Sequence, residues 1–173
     1  MPGFIPLFAA LAVLVRLASL AVSIRHERAL KAAGAVEYGA ANSKVLALAH
    51  IAFYLAAIGE GLADPQPVDA VTVTGLLLYG ASMAMLIWVV RLLGPVWTVK
   101  LLIARDHALV THPLFRLVRH PNYFLNILPE LIGLALALHA WRTLAIGMPL
   151  YLIPLIVRMR QEERVMRDLF ATY

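Results

Sequence analysis

Residues 45–63 read VLALAHIAFYLAAIGEGLA. The run holds one formal charge, Glu60, close to its end, and one histidine, His50. About 20 mainly apolar residues are needed for a helix to cross a hydrocarbon core roughly 30 Å thick. A soluble core helix of this length would show a polar face, and this one has none to show, so the stretch reads as a membrane span. Working outward, four further segments have the same character: 4–24, interrupted by Arg16; 71–93; 121–139, which carries Glu130; and 143–157, which holds Pro149 and Pro154. Those prolines remove backbone donors and predict a kink in the last span. Composition agrees with the spans. The chain has 173 residues, 62% of them hydrophobic and 14% charged, against about 25% charged in soluble domains. The expected fold is all-α: one integral membrane domain over residues 1–173, a helical bundle with five transmembrane helices.

The charges report orientation. Net charge is +5, which alone would admit nucleic acid as a partner. Every lysine and arginine except Arg16 and Arg142 falls in one of three regions, 25–44, 91–120 and 158–173. Basic residues favour the cytoplasmic side. Five spans with the N-terminus outside and the C-terminus inside put all three regions there, so the positive charge has a topological cause and nucleic acid is excluded. The first residues, MPGFIPLFAALAVLV, lack a basic n-region and continue past the length of a signal h-region, which predicts a retained first span. With no cysteine, disulfides and thiolate metal sites are excluded. The six histidines are scattered, and no metal site is expected.

The segment after Gly94-Pro95, WTVKLLIARDHALVTHPLFRLV, is too charged to span and too apolar for a free loop. It is expected to form short extended pieces around a turn near Arg105-Asp106, then to pack at the membrane surface. Long ordered loops are often functional. It leads into RHPNY, residues 119–123. Pro121 suits the first position of a helix, and the unpaired N–H groups of that helix start suit an anion. Arg119 and His120 lie beside it, and Tyr123 adds a ring with a polar tip. The same residues also suit a simple interface belt.

Further on, RMRQEERVMRDLF, residues 158–170, read as a helix places Leu155, Met159, Glu162, Met166 and Leu169 on one stripe. Glu162 interrupts that apolar face, with Arg158 one turn before it. An unpaired carboxylate there would be costly. The pair is either a structural tie or part of a site. Glu163 falls with Arg160 and Arg167 on the polar side, as a solvated charge. Glu130, within a span, is expected to bond a neighbouring helix through Arg16, His50 or Glu60. His50 and His139 are expected as core or interfacial histidines.

Taken together, RHPNY at the head of a span, DHALVTHPLFRLV before it and RMRQEE two spans later resemble the isoprenylcysteine carboxyl methyltransferase family from about Trp97 onward. The resemblance implies S-adenosylmethionine as cofactor and methyl transfer to a lipophilic acceptor at the cytoplasmic membrane face. It implies a pocket formed by the 94–120 loop, the start of the fourth span and the C-terminal helix. The cofactor-binding residues it implies are His107, Leu109, Val110, Phe115, Arg119, His120, Pro121, Asn122, Tyr123 and Glu162. Arg158, facing the acceptor, and Glu162 are the implied catalytic pair. Many members read Gly-Pro-Tyr or Gly-Val-Tyr before the Arg-His-Pro, where this chain has Pro113-Leu114-Phe115 and so lacks the hydroxyl. The first linker is similar to that of a bacterial subgroup resembling alkylpyrone and alkylresorcinol O-methyltransferases, so the implied acceptor is a prenylcysteine-type carboxylate or such a hydroxyl. Phospholipid N-methyltransferases share a similar core and are the alternative enzyme reading; a non-enzymatic membrane scaffold is the other alternative.

Overall fold

The computed structural model describes residues 3–103, 118 and 120–169. They form a nearly all-α protein: α1 Phe4–Ala32, α2 Ala40–Ala63, α3 Ala70–Leu93, α4 Asn122–Ala137 and α5 Thr143–Leu169. Two short strands, β1 Val36–Tyr38 and β2 Leu101–Ile103, are the exception. Four helices, α1, α2, α3 and α5, are long and apolar enough to cross a membrane. α4 is apolar but shorter, and at 1.5 Å per residue it falls short of the roughly 30 Å core. Large apolar side chains face outward, among them Leu48, Leu55 and Leu77 at 66%, 67% and 70% exposure. In water that surface would be an association liability; in lipid it is the solvated face of an integral membrane protein.

Helix ends differ from the expected spans where local chemistry extends them. α1 continues past residue 24 through Arg25–Ala32, a run of good helix formers. It stops at Gly34, whose φ of +83° and the bond from Ala35 N to Leu30 O close a left-handed cap. The tail segment after residue 157 is a direct continuation of the last span, so α5 is one continuous helix carrying both. Pro149 and Pro154 do not end it; α5 begins instead with a π turn, Thr143–Gly147. At the start of α3, Asp69 and Thr72 cap each other's backbone, and Thr72 N donates to Asp69 Oδ1 at 2.8 Å. That bond holds the Asp69 carboxyl below its usual pKa range. His139, in the tight α4–α5 turn at φ +53°, reaches the same pair, with Nε2 3.1 Å from Asp69 Oδ1.

Two features fix where α4 stands. Gly75 of α3 and Gly133 of α4 face each other: a Cβ on Gly75 would lie 2.7 Å from the Gly133 carbonyl oxygen, and one on Gly133 would lie 2.6 Å from Tyr79 N. Small residues at facing positions allow such close backbone approach. A polar cluster then ties all five helices. Glu130 of α4, fully buried, pairs with Arg16 of α1 and accepts from Tyr54 of α2. His50 Nε2 stands 3.7 Å from Glu130, while His50 Nδ1 stands 3.4 Å from Tyr151 Oη of α5. Tyr54 also meets Tyr79 of α3 at 3.2 Å. Of the three partners expected for Glu130, Arg16 and His50 are present. Glu60 is elsewhere, accepting from Arg142 N and Thr143 N, each at 2.9 Å, at the opposite end of the bundle.

The strands pair antiparallel, Val36 with Ile103, Glu37 with Leu102 and Tyr38 with Leu101. Leu101–Ile103 is thus extended as expected, but its partner is the first linker. The turn expected near Arg105-Asp106 lies outside the described residues.

Candidate functional site

At the end of the bundle that collects the basic regions, the head of α4 meets the inner face of α5. His120 caps α4, its carbonyl accepting from Tyr123 N and Phe124 N at 3.0 and 3.1 Å. Pro121, next in the chain, fits the first turn because it has no N–H to leave unpaired. α4 then runs through a π turn, Asn122–Ile127, where Leu128 N reaches back to Tyr123 O. Pro129 sits just beyond this turn.

Glu162 is the junction. Its Oε1 accepts from Tyr123 Oη and from Arg158 Nε, the latter at 2.8 Å, and its Oε2 lies 3.3 Å from His120 Nδ1. The His120 and Tyr123 rings stack at 5.7 Å with 28° between planes. The expected reach of Arg158 to Glu162 over one helical turn is therefore present. Glu163 departs from expectation. It is only 32% exposed, its Oε1 lies 3.3 Å from His120 Nε2, and Arg167 approaches its other oxygen at 3.9 Å. His120 stands between two carboxylates. Burial alone would lower its pKa, but the facing Glu162 and Glu163 outweigh burial and raise it, so the imidazolium is favoured.

Arg158 is 2% exposed and spends its fork on three elements. Besides Glu162, Nη1 donates to Ser43 Oγ of α2 at 2.6 Å and Nη2 to the Val99 carbonyl at 3.2 Å. A buried guanidinium needs such partners. Val99 is held from the other side as well, its N–H donating to Ser23 Oγ of α1 at 2.9 Å. Nearby, His26 Nδ1 donates to the Trp97 carbonyl at 2.9 Å, and Lys100 pairs with Glu27 at 2.6 Å. The segment leading into residues 104–119 is thus pinned by α1, β1 and α5.

Two polar layers result. Ser23, Ser43, Tyr123 and Arg158 belong to this one. Arg16, His50, Glu130 and Tyr151, each seven residues away along its own helix, belong to the Glu130 cluster. At 1.5 Å per residue the layers are roughly 10 Å apart.

Of the residues named from sequence, His120, Tyr123, Arg158 and Glu162 come together here, while Pro121 and Asn122 lie between His120 and Tyr123 in the chain, Asn122 accepting from Asn126. His107, Leu109, Val110, Phe115 and Arg119 lie outside the described residues. Glu163, Ser43 and Val99 were not anticipated; a serine in a polar linker and a backbone carbonyl carry no pattern. Among the described residues no group of three or more His, Cys, Asp or Glu side chains is placed to hold a metal.

Comparison with known proteins gives a family match over residues 73–168, to the isoprenylcysteine carboxyl methyltransferase (ICMT) family. An uncharacterized protein of Haemophilus influenzae is 47% identical over 156 residues, covering 90% of this chain and 91% of its own. The uncharacterized protein YpbQ of Bacillus subtilis is 27% identical over 163 residues, covering 94% and 96%. No solved structure matches the chain.

Proposed function

This chain belongs to the isoprenylcysteine carboxyl methyltransferase family, a family of membrane methyltransferases, and from that premise we propose that it methylates an oxygen of a lipophilic acceptor with S-adenosylmethionine, at the cytoplasmic membrane face. The observation that carries the reading is Glu162: one carboxylate receives Tyr123 and His120 from the head of α4 and Arg158 from its own helix. Family motifs far apart in sequence converge on it.

The site's chemistry fits the cofactor. Glu162 and Glu163 offer carboxylate oxygens to an ammonium, the stacked His120 and Tyr123 rings offer a flat face to a base, and Asn126, one turn along, holds a buried acceptor with no partner among the described residues. S-adenosylmethionine, when bound, supplies a methyl group on a sulfonium, already an activated electrophile. What remains for the protein is to orient the reactants and exclude water. Arg158 fixes Glu162 and the entrance of the 100–119 segment in one arrangement, and it places positive charge beside the acceptor's oxygen. A carboxylate acceptor arrives ionised and needs no base. A phenol or enol must lose a proton, for which Glu162 or His120 is the candidate base. The acceptor's tail remains in the bilayer among five membrane helices, with α4 as the short fifth.

The test is binding. His120→Ala and Glu162→Ala proteins should bind labelled S-adenosylmethionine at least tenfold more weakly than wild type; unchanged binding in both removes the pocket assignment. Incubating membranes with methyl-labelled S-adenosylmethionine and lipid extract then identifies the acceptor, base-labile label marking an ester and stable label an ether.

A further inference from the structure

One polar group at the head of α4 is left over from the contacts above. Asn126 is 1% exposed. Its amide nitrogen donates to Asn122 Oδ1 at 3.2 Å, while its carbonyl oxygen, also buried, accepts no hydrogen bond among the described residues. Folding leaves few buried acceptors unpaired, because each forfeits its bonds to water without replacement. A residue that keeps such a group calls for a reason.

Its position supplies one. Asn126 lies in the π turn Asn122–Ile127, three residues after Tyr123 and four after Asn122. π turns within α-helices gather at functional sites. Its neighbours along the helix are core residues: Tyr123 and Leu131 belong to the hydrophobic core and Ile127 packs against it. A charged donor would be poorly solvated there. A neutral donor on a flat apolar ring suits both the acceptor and its setting.

Resting on the cofactor reading above, we propose that Asn126 Oδ1 binds the exocyclic amine of the adenine base, with the base lying alongside Tyr123. The charged ammonium of the same cofactor suits the Glu162 and Glu163 carboxylates instead. An acceptor in this position discriminates: a base with a carbonyl in place of the amine sets oxygen against oxygen.

The experiment titrates the full-length protein in nanodiscs with S-adenosylhomocysteine and with S-inosylhomocysteine, its 6-oxo counterpart. Wild type should prefer the adenosine ligand by roughly tenfold or more. Asn126→Leu should lose most of that preference by weakening the adenosine ligand alone. The ligand-free Leu protein should melt close to the wild-type temperature, since a residue of similar size removes the unpaired acceptor along with the donor to Asn122. A merely structural asparagine gives the opposite pattern, a lower melting temperature with the preference intact, and that overturns the inference. Should the variant fail to fold, the two ligands on wild type still decide, because equal affinity for both also overturns it. Wild type that binds neither ligand removes the cofactor reading and this inference together.

Discussion

His120 sits with one ring nitrogen on Glu162 and the other on Glu163, each at 3.3 Å, which makes the site's cohesion a matter of proton count. Its folded pKa is raised, so the stabilisation is complete below the unfolded value of about 6.5 and is lost as pH rises through the higher folded value. Melting temperature of the ligand-free protein is expected to fall across that interval, and His120→Gln to flatten the curve; a slope surviving in the variant assigns it to another group. Arg158 gives a second expectation. Ser43→Ala removes one of its three partners and should cost about 1 kcal/mol. Arg158→Lys should cost more, since a point charge cannot serve Glu162, Ser43 and Val99 at once; denaturation of both variants in the same detergent checks the order. Glu162 was legible because it broke an otherwise apolar stripe. Glu163 was not: helical phase assigned it to the polar side, and only the placement of His120 by another helix brings it in.

At the scale of elements, the length of apolar runs found the helices and missed the devices at their ends. Two three-residue strands are too short to show a period of two, and the cap at Gly34 lies inside residues 25–44, a stretch that reads as linker. The π turn of α4 left only Pro129 as a trace. The α3–α4 contact was equally hidden, because Gly75 and Gly133 matter through the side chains they lack. Gly133→Leu should separate these helices, lowering the melting temperature and displacing the head of α4; loss of S-adenosylhomocysteine binding together with stability is the expected joint result. A Leu variant as stable as wild type contradicts the 2.6 Å approach to Tyr79 N.

For the whole molecule, hydrophobic runs and the partition of basic residues carried most of the information, since lipid imposes the same demand on every span. Topology is testable directly because the chain has no cysteine. A single cysteine at Arg164 should react with an impermeant maleimide only from the cytoplasmic side, and one at Asp64 only from the outside; the reverse pattern inverts the bundle. The two layers of polar contacts, seven residues apart on four helices, have a further result. They act as a vernier. A helix that slips lengthwise or turns about its axis loses its partners at both depths together, so no small displacement trades one set for the other. Removing a single residue between Tyr123 and Glu130 would twist one against the other by about 100°, and no rigid motion of α4 would restore both.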